Sequence, residues 1–124
     1  MNVAGFSHAN PIPAASRIGD LVFSGVITGR DPLTGELPST LDEQCVHVFH
    51  HLRAIIEAAG GTTEDIIKLT VWLAEYRERD TLNREWLTMF PDPASRPARQ
   101  VMSAELDGGM LIQCDFVGVL GGTD

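Results

Sequence analysis

A chain of 124 residues with 17 acidic and 9 basic side chains, a formal charge of −8 and an isoelectric point near 4.8 is one domain's length, and residues 1–124 read as a single unit. Its 44% hydrophobic and 21% charged residues are the balance of a folded globular domain and exclude a disordered or low-complexity chain. The acidic surplus argues against a nucleic-acid partner, no apolar run approaches the roughly eighteen residues of a membrane span, and without a signal-peptide pattern at its start a cytoplasmic protein is expected.

In chain order, Gly19–Val26 (GDLVFSGV) has strand composition and Asp31–Pro38 (DPLTGELP) supplies Pro and Gly where a reversing loop needs them, which predicts an N-terminal hairpin. Thr40-x-x-Glu43 is a capping-box signature, and Gly60-Gly61 marks a helix stop. Between them Cys45, Val48, Phe49, Leu52, Ile55, Ile56 and Ala59 fall on one side of a helix, predicting a core-facing stripe. His47, His50, His51 and Glu57 fall on the other, predicting a solvated face rather than a zinc site.

From Ile66 to Leu73 the period drops to two, with Ile67, Leu69, Val71 and Leu73 on one face and Ile66, Lys68, Thr70 and Trp72 on the other. Asp80 suits the N-cap of a second helix that buries Leu82, Trp86, Met89 and Phe90 and ends at Pro91. Two last strands, near 98–105 and 110–119, are joined by Asp107-Gly108-Gly109, which predicts a tight hairpin. The order ββαβαββ predicts an α+β fold, a mixed sheet covered on one face by two helices.

A three-residue loop in that hairpin sets Met102 opposite Cys114 and Ala104 opposite Ile112, all apolar and core-facing. Arg99, Val101 and Ser103 then share the other face with Gln113, Asp115 and Val117. Such a face, with Trp72 beside it, is too apolar for bulk water, and the expected cover is another copy of the chain. Cys45 and Cys114, set among apolar residues, read as buried thiols.

GDLVFSG, DPLTGELP, the helix-to-strand run RAIIEAAGGTTEDIIKLTVWL, TLNREW and above all RPAR at 96–99 resemble the Rid/YjgF family, also named endoribonuclease L-PSP or translation-inhibitor proteins. The resemblance implies a chorismate-mutase-like fold and a homotrimer with three clefts between subunits. It implies cofactor-free hydrolysis of reactive imines derived from enamines, such as 2-iminopropanoate, to 2-oxo acids and ammonia, as in the RidA-like imine deaminases. The PAR arginine, which binds the substrate carboxylate in that family, matches Arg99. A guanidinium suits the task, since its planar fork holds a carboxylate by two parallel bonds and fixes the neighbouring imine carbon against water.

The same alignment marks departures. Gln113 stands where active imine deaminases have a glutamate that helps hold the water, and an amide cannot accept its proton. Val101 replaces the family cysteine, and Ile12 replaces the N-terminal aromatic. Asn83 matches the family, and Ser24 falls at its serine or threonine position. The resemblance thus implies Arg99 and Gln113 as catalytic residues, Asn83, Val101, Ser24 and Ile12 as further substrate contacts, and no metal. A non-catalytic trimeric module for small carboxylate or carbonyl metabolites is the alternative. An endoribonuclease fits the −8 charge poorly.

Overall fold

The computed structural model describes Val3 and residues 12–121. Three short strands, β1 (Ala15–Ile18), β2 (Leu21–Ser24) and β3 (Ile27–Thr28), lead to helix α1 (Leu41–Ala58), strand β4 (Ile66–Leu73), helix α2 (Arg79–Met89), and strands β5 (Ala98–Ser103) and β6 (Ile112–Val119). They form one mixed sheet in the order β1-β2-β6-β4-β5, with β3 also pairing β6, and the helices cover one face. The N-terminal hairpin is β1 and β2, turned at Gly19-Asp20; the DPLTGELP loop follows it, closed by Asp31 N–H donating to the Glu36 carbonyl at 2.8 Å. Among the described residues no helix is long and apolar enough to cross a membrane.

Helix α1 begins and ends where its signals lie. Thr40 Oγ1 accepts the Glu43 amide at 3.3 Å, and Gly60 leaves the helix at φ 96°, a left-handed conformation that glycine takes without a Cβ clash. The predicted stripe from Cys45 to Ala59 is buried throughout. His51, expected in solvent, is instead 1% exposed, because the segment after β3 covers that flank of the helix and the Arg30 carbonyl meets His51 Nε2 at 2.7 Å.

Burial, foremost, holds the His51 imidazole below its usual pKa of 6.5, reinforced by the nearby His50 and His47 and opposed by the Arg30 carbonyl and Asp31. The unfolded chain then takes up a proton that the folded chain resists, so the His51 contribution to stability is constant above about pH 6.5 and falls as pH drops below it. Urea unfolding of wild type and His51→Gln at stepped pH is expected to show a steeper acid loss in wild type; parallel profiles would contradict this.

The last two strands are not paired to each other. Strand β5 runs parallel to β4, with Leu69 beside Arg99 and Val71 beside Val101, whereas β6 runs antiparallel along the other edge of β4. The end of β4 is wedged between them: Ala104 N–H donates to the Leu73 carbonyl at 3.1 Å and Ala74 N–H to the Leu111 carbonyl at 3.0 Å. A tight hairpin at 107–109 is therefore replaced by a wide connection straddling a third strand. The βαβ unit of β4, α2 and β5 explains it, since a parallel strand reached through a helix takes a free edge of its partner.

Paired residues of neighbouring strands point to the same side, so this pairing changes the faces. Ile112, Cys114 and Phe116 face the helices as expected, with Leu69, Val71 and Leu73. Arg99 and Val101 share that side, and Met102 goes to the open face beside Trp72, the reverse of the expected assignment. A bulge between Ile66 and Lys68 likewise exchanges the first residues of β4: Ile66 is buried and Ile67 is exposed. The open face still carries Leu21, Phe23, Trp72, Met102 and Val117, with Phe23 52% exposed.

Candidate active site

The arginine that ends RPAR sits on the edge strand β5, with its side chain directed to the helix side of the sheet. Its guanidinium carbon lies 4.8 Å from the centroid of the Trp86 ring on α2, a cation–π contact. Nη1 of Arg99 is buried and has no hydrogen-bond partner among the described residues. Burial, then the charge of Arg79, lower the pKa of the Arg99 guanidinium from its ordinary value, yet an arginine stays charged. A partly buried guanidinium with no ion pair among the described residues loses hydration without compensation, and a bound anion would supply it.

The local sequence builds this corner from two short elements. Arg79, Asn83 and Trp86 are spaced i, i+4 and i+7 and so lie along one face of α2. Asn83 is half-buried there, between a guanidinium and the indole that carries Arg99. Val101, two residues beyond Arg99, points the same way and packs on the core, so what it offers a ligand is backbone and a short apolar wall. The expected α2 N-cap, Asp80, lies inside the helix; Glu78 takes that position without a side-chain cap bond.

The other expected residues lie elsewhere in the chain. Gln113 pairs with Trp72 and Thr28 on the open face of the sheet. It is two strands from Arg99, about 10 Å across the sheet, and points to the opposite side. Ser24 is further still, and its hydroxyl is occupied, donating to the Gly25 carbonyl at 2.8 Å and accepting the Phe116 amide at 2.9 Å. Ile12 is exposed and leads into β1, at the sheet edge opposite β5. One chain thus groups Arg99, Asn83 and Val101 and leaves Gln113, Ser24 and Ile12 apart.

Two residues were given no site role in the sequence, Arg79 beside Asn83 and Asp115 on the open face beside Gln113. Arg79 shares a helix face with Asn83, and only the placement of that face beside Arg99 gives it a role. Asp115 follows Gln113 by two residues on the open face, and burial raises its pKa against the opposing charge of Lys68, making it a better proton acceptor than an exposed carboxylate. The thiols offer no nucleophile: burial pushes Cys45 up to about 12 and raises Cys114 as well. Among the described residues, no three His, Cys, Asp or Glu side chains converge as a metal site.

Comparison with known proteins gives this arrangement a context. A RutC family protein of Aquifex aeolicus is 32% identical over 102 residues, covering 82% of this chain and 81% of that protein. Reactive Intermediate Deaminase A of Arabidopsis thaliana chloroplasts is 28% identical over 106 residues, 84% of this chain and 57% of that protein. Among solved structures, RidA from an Antarctic Psychrobacter superposes with a TM-score of 0.85 at 27% identity, covering 92% of each chain. The family model for endoribonuclease L-PSP matches residues 6–119, a span that holds all six strands, both helices and the Arg99 corner, and the chain belongs to that family.

Proposed function

We propose that the protein hydrolyses the C=N bond of small reactive imine or enamine acids, 2-iminopropanoate-like, to a 2-oxo acid and ammonia without a cofactor. The observation that carries this reading is the buried Nη1, unpartnered among the described residues, of an Arg99 guanidinium that lies over the Trp86 ring. Relatives named reactive intermediate deaminases support it.

In this reading Arg99 takes the substrate carboxylate through two parallel hydrogen bonds, which fixes the adjacent imine carbon. Water adds to that carbon, a C–O bond forms, the C–N bond breaks, and the water hydrogens leave with ammonia. Asn83 and the backbone near Val101 complete the cradle, and Gln113 orients the water. Arg99 and Gln113 lie on opposite sides of one sheet, so they can serve one substrate only if Gln113 comes from a second copy. The apolar open face suits that assembly, and a homotrimer with clefts between subunits provides it.

Gln113 also favours a second reading. An amide can hold a water but cannot take its proton, which suits a trimeric module that binds small carboxylates without turning them over. The test is semicarbazide trapping of imines made in situ by an amino-acid oxidase, with wild type and Gln113→Glu. The deaminase reading expects wild type to divert imine from semicarbazide and Gln113→Glu to do so faster. Binding of 2-oxo acids with no diversion by either protein would favour the module.

A further inference from the structure

A second guanidinium stands at the same corner. Arg79 opens α2, is exposed, and makes no ion pair among the described residues, although Glu75, Glu78 and Asp80 flank it in sequence. Its guanidinium rests 4.5 Å from the Tyr76 ring centroid, and its Nη1 donates to Tyr76 Oη at 3.4 Å, so an aromatic neighbour positions it as Trp86 positions Arg99. Arg79 and Trp86 are seven residues apart, about 10 Å along the axis, and helical side chains lean toward the N-terminus. That lean carries the Trp86 ring, with the Arg99 fork over it, back toward Asn83, and it carries Arg79 toward Tyr76, so the two guanidinium groups stand apart along one face of α2. The charge of Arg79 reaches Arg99, where after burial it disfavours the charged guanidinium. In a chain with 17 acidic and 9 basic side chains, two like charges are set along one helix face, and neither has an ion pair among the described residues.

We propose that Arg79 is the specificity-determining residue of the Arg99 site, and that the substrates it selects are 2-imino acids bearing a second carboxylate on the side chain. This rests on the deaminase reading for the chemistry but not for the binding. Arg99 holds the carboxylate next to the imine carbon, and Arg79 holds the distal one. Asn83 lies between them, level with the reacting carbon. For a four-carbon substrate, 2-iminobutanedioate takes up one water and yields the 2-oxo dicarboxylate and ammonia. No electron donor or acceptor is involved.

The experiment compares wild type with Arg79→Gln, a surface change that removes the charge and leaves a shorter polar side chain. Imines are generated in situ from aspartate and from alanine by the matching oxidases, and kcat/KM is read by competition with semicarbazide. Butanedioate and propanoate are titrated separately by calorimetry. Wild type is expected to favour the aspartate-derived imine. Arg79→Gln should lower its kcat/KM, and weaken butanedioate, by about tenfold or more, while alanine-derived imine and propanoate change less than about twofold. Equal effects on both classes, or none, would overturn the assignment of Arg79. If neither imine is hydrolysed but butanedioate alone is weakened, the deaminase reading fails and the second carboxylate subsite stands. If both imines are hydrolysed and Arg79→Gln does not discriminate, the subsite fails and the deaminase stands.

Discussion

Arg99→Ala is expected to lower kcat/KM for a small 2-imino acid by a hundredfold or more, and Arg99→Lys by roughly tenfold to a hundredfold. The lysine variant keeps the charge and loses the fork, so it isolates the value of bidentate geometry. Each charge-assisted hydrogen bond contributes about 1.5 to 3 kcal/mol net, and about 1.4 kcal/mol is tenfold. Both variants should fold: Arg99 is on an edge strand, its buried nitrogen makes no hydrogen bond among the described residues that the substitution breaks, and the half-buried cation–π contact to Trp86 is worth about 1 to 2 kcal/mol. Semicarbazide competition and circular dichroism on the same samples separate the two effects. Wild-type turnover by a folded Arg99→Ala would place the site elsewhere.

The largest effect on stability is expected where β3 meets α1. At Gly29 an added Cβ would lie 2.6 Å from both the Cβ and the carbonyl oxygen of Gln44, so it would collide with helix backbone that cannot give way. Gln44 is itself fully buried and ties three backbone groups together: Nε2 donates to the carbonyls of Pro38 at 2.7 Å and Gly109 at 3.1 Å, and Oε1 accepts the Leu111 amide at 2.8 Å. Gly29→Ala should therefore cost about 3 kcal/mol or more, through forced displacement of α1 and strain on that hub. Gln44→Ala should cost a similar amount, because a buried group left unpaired costs about 1 to 3 kcal/mol. Urea denaturation checks both. A loss below about 0.5 kcal/mol for either would mean the contact is not tightly packed in solution.

What could be read in the sequence was local. The caps and stripe of α1, the inward residues of α2 and the core-facing half of β6 follow from helical period and strand alternation, which need no knowledge of neighbours. Strand pairing was not legible in that way. Asp107-Gly108-Gly109 has tight-turn chemistry, yet the two strands it joins flank β4, because the crossover through α2 had already placed β5 on that edge. This error moved Arg99 and Val101 to the wrong face. The bulge in β4 and the burial of His51 and Gln44 on the flanks of α1 were hidden for the same reason, since each depends on which segment covers it. Residues of the Arg99 corner were legible as a motif, and Asn83 as a family match, whereas Arg79 becomes meaningful only once α2 is seen to lie against β5.

The central claim is that Arg99 receives a small carboxylate in a cleft completed by a second copy of the chain. A crystal structure with 2-oxobutanoate tests it most directly. The account predicts a homotrimer in which both ligand carboxylate oxygens accept from the Arg99 fork over Trp86, with Asn83 beside the ligand and Gln113 of a neighbouring copy within hydrogen-bonding distance of its carbonyl or of a water against it. A monomer, or a ligand bound away from Arg99 with its Nη1 still unpaired, would contradict it.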